Sequence, residues 1–338
     1  MKNFNTQRLI DTFIEMVRID SESGNEKAFS DYLTALGKSL NLNSWQDTYN
    51  NVYIEIPGKG KPLMFNTHMD TVRPGNGVKP KVQGDYIISD ETTVLGADSK
   101  AGIAAMIELV RHCQENNITH RPLLLSFTCS EEAGIPTAQH VISDIQECIV
   151  PDRGTPIGEI IIKAPHAQVF QITTKGKTAY ATTQFDQGKH AIRTAARIVD
   201  RLPLGNIDDE TTANVGIFQG GLMTTMIPEN CMIKGNCYSF NKDSFDTFFK
   251  DLKKVTADAD IAFGTKSTIE MLEHFPGFAL DKSDSLVKEV EVAMKKAEIK
   301  PSYPVHKAVT NANLLNSIGI KTVLISTGVE NQHTVREK

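Results

Sequence analysis

The chain has 338 residues, of which 40% are hydrophobic and 23% charged, a composition typical of a globular protein with room for two domains. Its 36 basic and 41 acidic residues give a net charge of −5, so composition offers no electrostatic basis for binding nucleic acid or an acidic membrane surface. Its five cysteines form no Cys-x-x-Cys pair, and no apolar run reaches the roughly 18–20 residues that a membrane span needs. We therefore expect a reduced, cytoplasmic enzyme or binding protein without nucleic-acid or membrane partners.

The first half of the chain predicts helices that alternate with buried strands. Apolar residues at helical spacing predict helices over residues 7–18, 26–39 and 99–116. Continuous apolar runs predict strands over residues 62–68, 122–130 and 147–152. Strands that are apolar along their whole length are buried on both faces, so this order indicates an α/β fold with a mainly parallel sheet.

The pattern of the chain changes near residue 166. From there, strands in which polar and apolar residues alternate predict a sheet with one face in water. Their order with two helices is β-α-β-β-α-β, as in ferredoxin-like domains. A buried strand is predicted again over residues 320–328, and we expect it to rejoin the first sheet. The sequence therefore predicts two domains, the first formed by residues 1–166 plus 277–338 and the second, inserted, by residues 167–276.

The segment "MFNTHMDTV" (64–72) places His68 and Asp70 two residues apart at the end of a predicted buried strand. Alternate side chains of a strand point to the same face, so these two can converge on one metal ion. Taken alone, a strand-end histidine that is hydrogen-bonded to a nearby carboxylate is the simpler interpretation. The remaining acidic residues and histidines of the chain decide between the two.

Other candidate ligands also stand where predicted strands end or helices begin. Asp98 precedes a helix, Glu131 and Glu132 end a strand, Asp152 ends the third strand, and His333 follows the last one. Each of them alone has a simpler role, as a helix cap, a turn residue or a surface acid. Because sites in α/β sheets are built at the carboxyl ends of the strands, their joint occurrence predicts a two-metal site. Nitrogen and oxygen ligands suit Zn²⁺, with Mn²⁺ or Co²⁺ as alternatives.

Two carboxylates of this set suggest further roles. Adjacent Glu131 and Glu132 diverge at a strand end, so one can bind metal while the other acts as a general base. A metal lowers the pKa of water toward 7, and the free carboxylate can then pass the proton to a leaving amine. Asp70 would hydrogen-bond His68 and fix its tautomer.

Five segments carry a resemblance to a known family: "HMDT", "LGADSKAGIAAMIELV", "SEEAG", "VPDRGTPIGEI" and "STGVENQHT". They resemble the co-catalytic zinc metallopeptidase and deacylase family of peptidase T, carboxypeptidase G and acetylornithine deacetylase. The resemblance extends over nearly the whole chain and is strongest to the peptidase T-like branch. It implies a metal-dependent hydrolase that cleaves an amide bond in a small peptide, as a tripeptidase or aminopeptidase does, with a metal-bound hydroxide as the nucleophile.

The resemblance also implies roles for individual residues. It implies two zinc ions per chain, held by His68, Asp98 and Asp152 and by Asp98, Glu132 and His333. Asp98 would then bridge the two ions, Glu131 would be the general base, and Asp70 would be the partner of His68. The implied fold is a catalytic α/β domain interrupted by a lid domain, through which a homodimer is expected. A non-proline cis peptide bond after Asp98 is implied as well.

The sequence departs from the family pattern at four positions on the substrate side. Tyr180 replaces a histidine, Thr225 an asparagine and Tyr238 an arginine, while Asn311 stands in an altered Gly-Gly-Ser/Thr-Asp motif. We expect these residues to contact substrate. Tyrosine can donate a hydrogen bond but cannot grip a carboxylate as arginine does. Two alternatives therefore stay open: an N-acyl amino acid deacylase, and a catalytically weakened metal-binding protein.

Overall fold

The computed structural model describes residues 4–134, 136–141, 143–154, 156–305 and 307–338. Its helices are α1 (Thr6–Val17), α2 (Lys27–Ser39), α3 (Ala97–Glu115), α4 (Ala191–Arg201), α5 (Lys242–Phe263), α6 (Ser285–Lys296) and α7 (Asn311–Ser317). Its strands are β1 (Asn43–Gln46), β2 (Val52–Ile56), β3 (Leu63–His68), β4 (Lys81–Gln83), β5 (Tyr86–Ile88), β6 (Leu123–Thr128), β7 (Glu147–Arg153), β8 (Ile160–Ile161), β9 (Lys163–Ala164), β10 (His166–Lys175), β11 (Gly205–Asn206), β12 (Thr211–Gly220), β13 (Asn230–Ser239), β14 (Lys266–Phe275), β15 (Phe278–Ala279) and β16 (Lys321–Ser326).

The chain divides into two compact units. Unit 1 comprises Met1–Lys163, Ala279–His306 and Thr310–Lys338, and unit 2 comprises Ala164–Phe278 and Lys307–Val309. The predicted domains have the same order along the chain. Unit 2 also contains residues 164–166, residues 277–278 and the short segment Lys307–Val309, although the sequence analysis placed them in the first domain.

A seven-stranded sheet with the order β1-β2-β6-β3-β7-β16-β8 forms the centre of unit 1. Its four middle strands, β6, β3, β7 and β16, run parallel, and the flanking strands are antiparallel to their neighbours. The predicted α/β fold with a mainly parallel sheet is therefore confirmed.

Each helix of unit 1 named here packs a buried apolar face into the hydrophobic core that covers the sheet. Phe13 of α1, Phe29 of α2, Ile107 of α3 and Leu286 of α6 belong to one hydrophobic cluster with the sheet residues, and each is at most 7% exposed. Each such side chain contributes about 1.5–3 kcal/mol when it leaves water. Strand β6 is buried at all six positions, as its continuous apolar sequence predicts.

Unit 2 has a five-stranded sheet with the order β11-β12-β13-β10-β14 and two helices, α4 and α5. Its hydrophobic cluster joins Phe170 and Ile233 of the sheet to Ile198 of α4 and Phe248 of α5. Apart from the two-residue strand β11, which lies between α4 and β12, the chain order β10-α4-β12-β13-α5-β14 is the predicted β-α-β-β-α-β arrangement.

The described residues include no helix that is both long enough and apolar enough to cross a membrane. All five cysteines are buried and unpaired with one another, in agreement with the absence of a disulfide pattern in the sequence.

Candidate metal centre

The parallel strands of unit 1 bring the candidate ligands to one edge of the sheet. His68 is the last residue of β3 and lies opposite Thr128, the last residue of β6, in the register of the sheet. Glu132 follows β6 by a few residues, and Asp152 lies near the end of β7 on the other side of β3. His333 is carried by the segment after β16, the neighbour of β7. Strand order, rather than proximity in sequence, therefore assembles the centre.

The first group of converging side chains consists of His68, Asp98 and Asp152, all at most 8% exposed. His68 Nε2 lies 3.3 Å from Asp98 Oδ1 and 3.3 Å from Asp152 Oδ1, between the two carboxylates. Asp98 stands at the start of α3, and its peptide bond to Ser99 is cis, as the resemblance implies.

The second group consists of Asp98, Glu132 and His333. His333 Nε2 lies 3.0 Å from Asp98 Oδ2 and 2.8 Å from Glu132 Oε1, and the side chain of His333 is about half exposed. Asp98 is thus shared: its Oδ1 faces the first group and its Oδ2 faces the second. This arrangement is what a carboxylate that bridges two metal ions requires.

The donor atoms of these groups fit divalent metal ions. Within each group, one nitrogen or oxygen atom per residue lies within 4.8 Å of the others. Asp152 Oδ1 is buried and makes no hydrogen bond among the described residues; it lies 3.3 Å from His68 Nε2, and a cation bound by both atoms would satisfy it. Histidine nitrogens with carboxylate oxygens, without a thiolate, are a ligand set suited to Zn²⁺, Mn²⁺ or Co²⁺.

The electrostatics of the groups favour a bound cation. Burial by itself would lower the pKa of His68, but the neighbouring carboxylates, Asp152 foremost, hold it well above its ordinary value. Hydrogen bonds to Asp98 and Glu132 raise the pKa of His333 to about 10. Burial raises the pKa of Asp152 to about 6, although the charge of His68 opposes the shift. The negative charge at this edge therefore attracts protons, and divalent cations can replace them.

Asp70 contacts both the first group and the turn after β6. The main-chain oxygen of Asp70 lies 2.9 Å from His68 Nδ1, closer than its carboxylate Oδ1 at 3.4 Å. The carboxylate accepts hydrogen bonds from the N–H groups of Glu131 and Glu132, each at 3.0 Å, and from the Ser23 hydroxyl at 2.7 Å. A proton on Nδ1 leaves the Nε2 lone pair free for a metal. Asp70 therefore has a second contact that the sequence did not predict, since its carboxylate fixes the Glu131–Glu132 turn.

All five candidate ligands lie within a region that matches a known protein family. Residues 64–338 match the model of Peptidase family M20/M25/M40. The chain belongs to this family. The resemblance stated from the sequence motifs is confirmed, and the protein is a peptidase.

The similarity of this M20/M25/M40 peptidase to known proteins extends over nearly its whole length. The Bacillus subtilis protein YqjE is 31% identical over 347 residues, which cover 99% of this chain and 94% of YqjE. The crystal structure of aminopeptidase PepT from Bacillus cereus matches with a TM-score of 0.88 and 32% identity, covering 99% of this chain and 93% of that one. A tripeptidase from Staphylococcus aureus matches with a TM-score of 0.91 and 30% identity, with the same coverage of both chains.

Glu131 of this M20/M25/M40 peptidase lies beside the two groups. One oxygen of Glu131 is within 4.8 Å of ligand atoms of both His68 and Glu132. Burial raises the pKa of Glu131 well above its ordinary value, and the charges of Asp152 and Glu132 add to this shift against that of His68. A carboxylate whose pKa is raised by its surroundings suits a general base, because it accepts a proton readily and can return it.

The predicted substrate-side residues of unit 2 lie in two places. Tyr180 pairs with Met226 in an isolated β-bridge, and the N–H of Ala181 donates to the carbonyl of Thr225 at 2.9 Å. Both Tyr180 and Thr225 are exposed. Tyr238, which is partly buried, lies near the other end of β13, a strand of ten residues that spans about 30 Å. Tyr180 and Thr225 are therefore neighbours, and Tyr238 is far from them within unit 2.

Asn311 is buried inside unit 1. Its Nδ2 donates to Asn66 Oδ1 at 3.0 Å and to Thr128 Oγ1 at 2.8 Å, so it links the start of α7 to strands β3 and β6. The sequence analysis expected it to contact substrate because of its place in the altered motif. Both Nδ2 protons are used within the core, whereas the buried Oδ1 has no hydrogen-bond partner among the described residues, and the contact with substrate stays a prediction.

Sequence reasoning missed two side chains that contact Asp98. Gln332 Nε2 donates to Asp98 Oδ2 at 2.9 Å. Glu337 accepts hydrogen bonds from the N–H groups of Gly96 and Asp98. The signal available in the sequence was weak: an amide directly before His333 and a carboxylate four residues after it.

Proposed function

We propose that this peptidase uses two metal ions to hydrolyse an amide bond in small peptides, as a tripeptidase or aminopeptidase does. The observation that carries the proposal is the position of Asp98, whose two carboxylate oxygens each face a different histidine in two candidate ligand groups. Support for the substrate class comes from the matching crystal structures, whose proteins are described as an aminopeptidase and a tripeptidase.

The two ligand groups define where the ions would be held. His68, Asp98 and Asp152 would hold one ion, and Asp98, Glu132 and His333 would hold the other, with Zn²⁺ as the expected metal and Mn²⁺ or Co²⁺ as alternatives. Bound ions would supply Lewis acidity, which polarises the scissile carbonyl and lowers the pKa of a water molecule.

Glu131 would act as the general base. Its raised pKa and its place beside both groups suit it to take a proton from the attacking water and deliver it to the leaving amine. Asp70 holds the N–H of Glu131 and thereby keeps the base in position while its carbonyl orients His68.

The substituted positions of unit 2 favour a second candidate function, a metal-binding protein with weakened catalysis. Tyr238 stands where the family resemblance leads one to expect an arginine, and a phenol offers one donor in place of a bidentate grip on a carboxylate. An N-acyl amino acid deacylase shares the chemistry of the leading proposal and differs only in substrate. We also propose a homodimer through unit 2 and a cytoplasmic location, as the sequence analysis expects.

The experiment that tests the proposal measures hydrolysis of di- and tripeptides and of N-acetyl and N-succinyl amino acids by metal-loaded protein, with metal content determined in parallel. We expect about two ions per chain and cleavage of peptides that is lost with EDTA. Two ions without cleavage of any substrate would instead favour the metal-binding protein, and cleavage of acylated amino acids alone would favour the deacylase.

The variant Glu131→Gln tests the mechanism directly. It keeps the size of the side chain but removes the proton acceptor, so kcat should fall by about 10²–10⁴-fold with metal content unchanged. Glu270→Gln, at an exposed position of β14, is the matched control and should leave kcat unaltered. Full activity of Glu131→Gln would contradict the assignment of Glu131 as the base.

A further inference from the structure

The segment 330–338 after β16 forms a loop whose ends are bonded to each other. The N–H of Glu330 donates to the carbonyl of Lys338 at 2.8 Å, and the N–H of Lys338 donates to the carbonyl of Glu330 at 3.1 Å. An ion pair of 3.1 Å between Lys338 Nζ and Glu330 Oε2 adds to this closure. His333 lies between these two bonded residues in sequence, so the closed loop restrains the position of His333.

Glu337 projects from this closed loop into the interior of unit 1 and is 2% exposed. Its Oε2 accepts a hydrogen bond from the N–H of Gly96 at 2.7 Å, and its Oε1 accepts one from the N–H of Asp98 at 3.1 Å. A buried carboxylate is costly unless it is paired, and these main-chain donors provide the pairing.

The donors that Glu337 pairs lie just before the regular part of α3, because Asp98 (φ −83°, ψ 105°) and Ser99 (φ −112°, ψ 19°) have non-helical dihedral angles. Gly96, whose φ is +75°, precedes the helix and has no side chain that could cap it. The N–H of Gly96 is paired instead by Glu337, 241 residues away along the chain. Glu337 thereby anchors the irregular backbone that leads into α3.

The closed loop therefore holds Asp98 at both its backbone and its side chain. Glu337 fixes the main-chain N–H of Asp98, while Gln332 Nε2 and His333 Nε2 contact Oδ2 at 2.9 Å and 3.0 Å. The direction in which Asp98 Oδ2 points depends on the backbone at Asp98. By fixing this backbone, the carboxylate of Glu337 helps to determine where Oδ2 lies in the second ligand group.

We propose that Glu337 is a positioning residue that shapes the second metal group by fixing the backbone of Asp98 relative to His333. This inference rests on the proposed function, because it presumes that both groups bind metal. Asp98 belongs to both groups, but the other two members of the first, His68 and Asp152, are carried by β3 and β7 rather than by the loop, so we expect the first group to depend on Glu337 less.

The test titrates metal-free protein with Zn²⁺ against a chromophoric chelator, which gives an affinity for each site. In Glu337→Gln, an amide oxygen can accept only one of the two main-chain bonds and its NH₂ group faces the other donor. We expect one affinity to fall by about 10–100-fold, the effect typical of residues that support metal ligands, while the other changes little. Glu270→Gln, the same chemical change at an exposed position of β14, is the matched control and should alter neither affinity.

A second set of variants, made in protein that carries His333→Ala, shows which of the two metal sites Glu337 affects. His333→Ala leaves only the first group, and adding Glu337→Gln to it should change the remaining affinity little. If Glu337→Gln does not fold, Glu337→Asp, which keeps the charge but shortens the side chain, should show the same selective loss to a smaller degree.

The outcomes separate this inference from the proposed function. Wild-type protein that binds no second ion would overturn both. Wild-type protein that binds two ions, with a folded Glu337→Gln or Glu337→Asp variant that binds both equally tightly, would overturn the positioning role alone. A parallel loss at both sites together with a lower free energy of unfolding of the metal-free protein would also overturn it, because a general destabilisation predicts both results.

Discussion

The two ends of strand β7 each carry a buried carboxylate, and their surroundings have opposite charge. At the amino end, the carboxylate oxygens of Glu147 lie 2.6 Å from Lys61 Nζ and 2.7 Å from Arg121 Nη2, and these cations outweigh burial and lower the pKa of Glu147. At the carboxyl end, Asp152 Oδ1 makes no hydrogen bond among the described residues and lies 3.3 Å from His68 Nε2, and burial raises the pKa of Asp152 to about 6.

This difference indicates that the two carboxylates of one strand have different roles, Glu147 in stability and Asp152 in cation binding. Glu147 is neutralised by the chain itself, so its ion pairs are complete within the protein and contribute to folding. Asp152 lies among other carboxylates and one histidine, so the chain leaves part of its charge to be balanced by something it does not supply. The amino edge of the sheet is therefore structural, and the carboxyl edge is suited to bind cations.

The largest expected effect is that of Asp152→Asn at the carboxyl end. We expect kcat to fall by at least about 10³-fold, together with the loss of one ion, because the first group loses a charged ligand. The stability of metal-free protein, measured by urea unfolding at pH 8, should not decrease, because the amide removes like-charge repulsion. A clear decrease would mean that Asp152 is a structural residue like Glu147 and would remove the contrast between the two ends.

Glu147→Gln at the amino end should have the opposite pattern. We expect the free energy of unfolding to fall by about 2 kcal/mol, because two charged hydrogen bonds are lost at a buried position, while metal content and kcat stay unchanged. Urea unfolding and the peptide assay measure the two quantities. Glu289→Gln is the control: its carboxylate contacts Arg121 at 2.9 Å from an exposed position and should contribute at most about 1 kcal/mol.

The pH dependence of that stability difference gives a smaller effect that sharpens the same contrast. The pKa of Glu147 is lower in the folded protein than the ordinary value of about 4.3, so folding favours its ionised form. The extra stability of wild type over Glu147→Gln should be fully present above about pH 5 and should shrink as the pH falls through the folded pKa. Urea unfolding of both metal-free proteins at pH 7 and near pH 3.5 measures this change. An undiminished difference in acid would show that packing, not charge, distinguishes the two side chains.

The parts of the fold and the centre that could be predicted have local signals. The apolar runs of β3 and β6 are readable within a few residues, and the spacing of His68 and Asp70 follows from the alternation of a strand. Because sites form at the carboxyl ends of parallel strands, these short signals together predict that the candidate ligands lie at one edge of the sheet.

The contacts that could not be predicted depend on tertiary docking. The hydrogen bonds of Glu337 to Gly96 and Asp98 join segments about 240 residues apart, and no periodicity in the sequence encodes such a pairing. Asn311 was expected to contact substrate because of its place in the altered motif, and the sequence alone did not indicate that its Nδ2 donates to Asn66 and Thr128 inside the core. Burial of a polar group can be recognised only when its partners are known.

The order of the ligands along the chain has a consequence for synthesis on the ribosome. His68, Asp98, Glu132 and Asp152 are made early, but β16 and His333 follow only after all of unit 2 has been translated. Because domains fold progressively as the chain emerges, a nascent chain can assemble the first ligand group well before the second. The order of synthesis therefore delays completion of the second candidate ligand group until β16 and His333 have been made, and a growing polypeptide lacks part of that group before then.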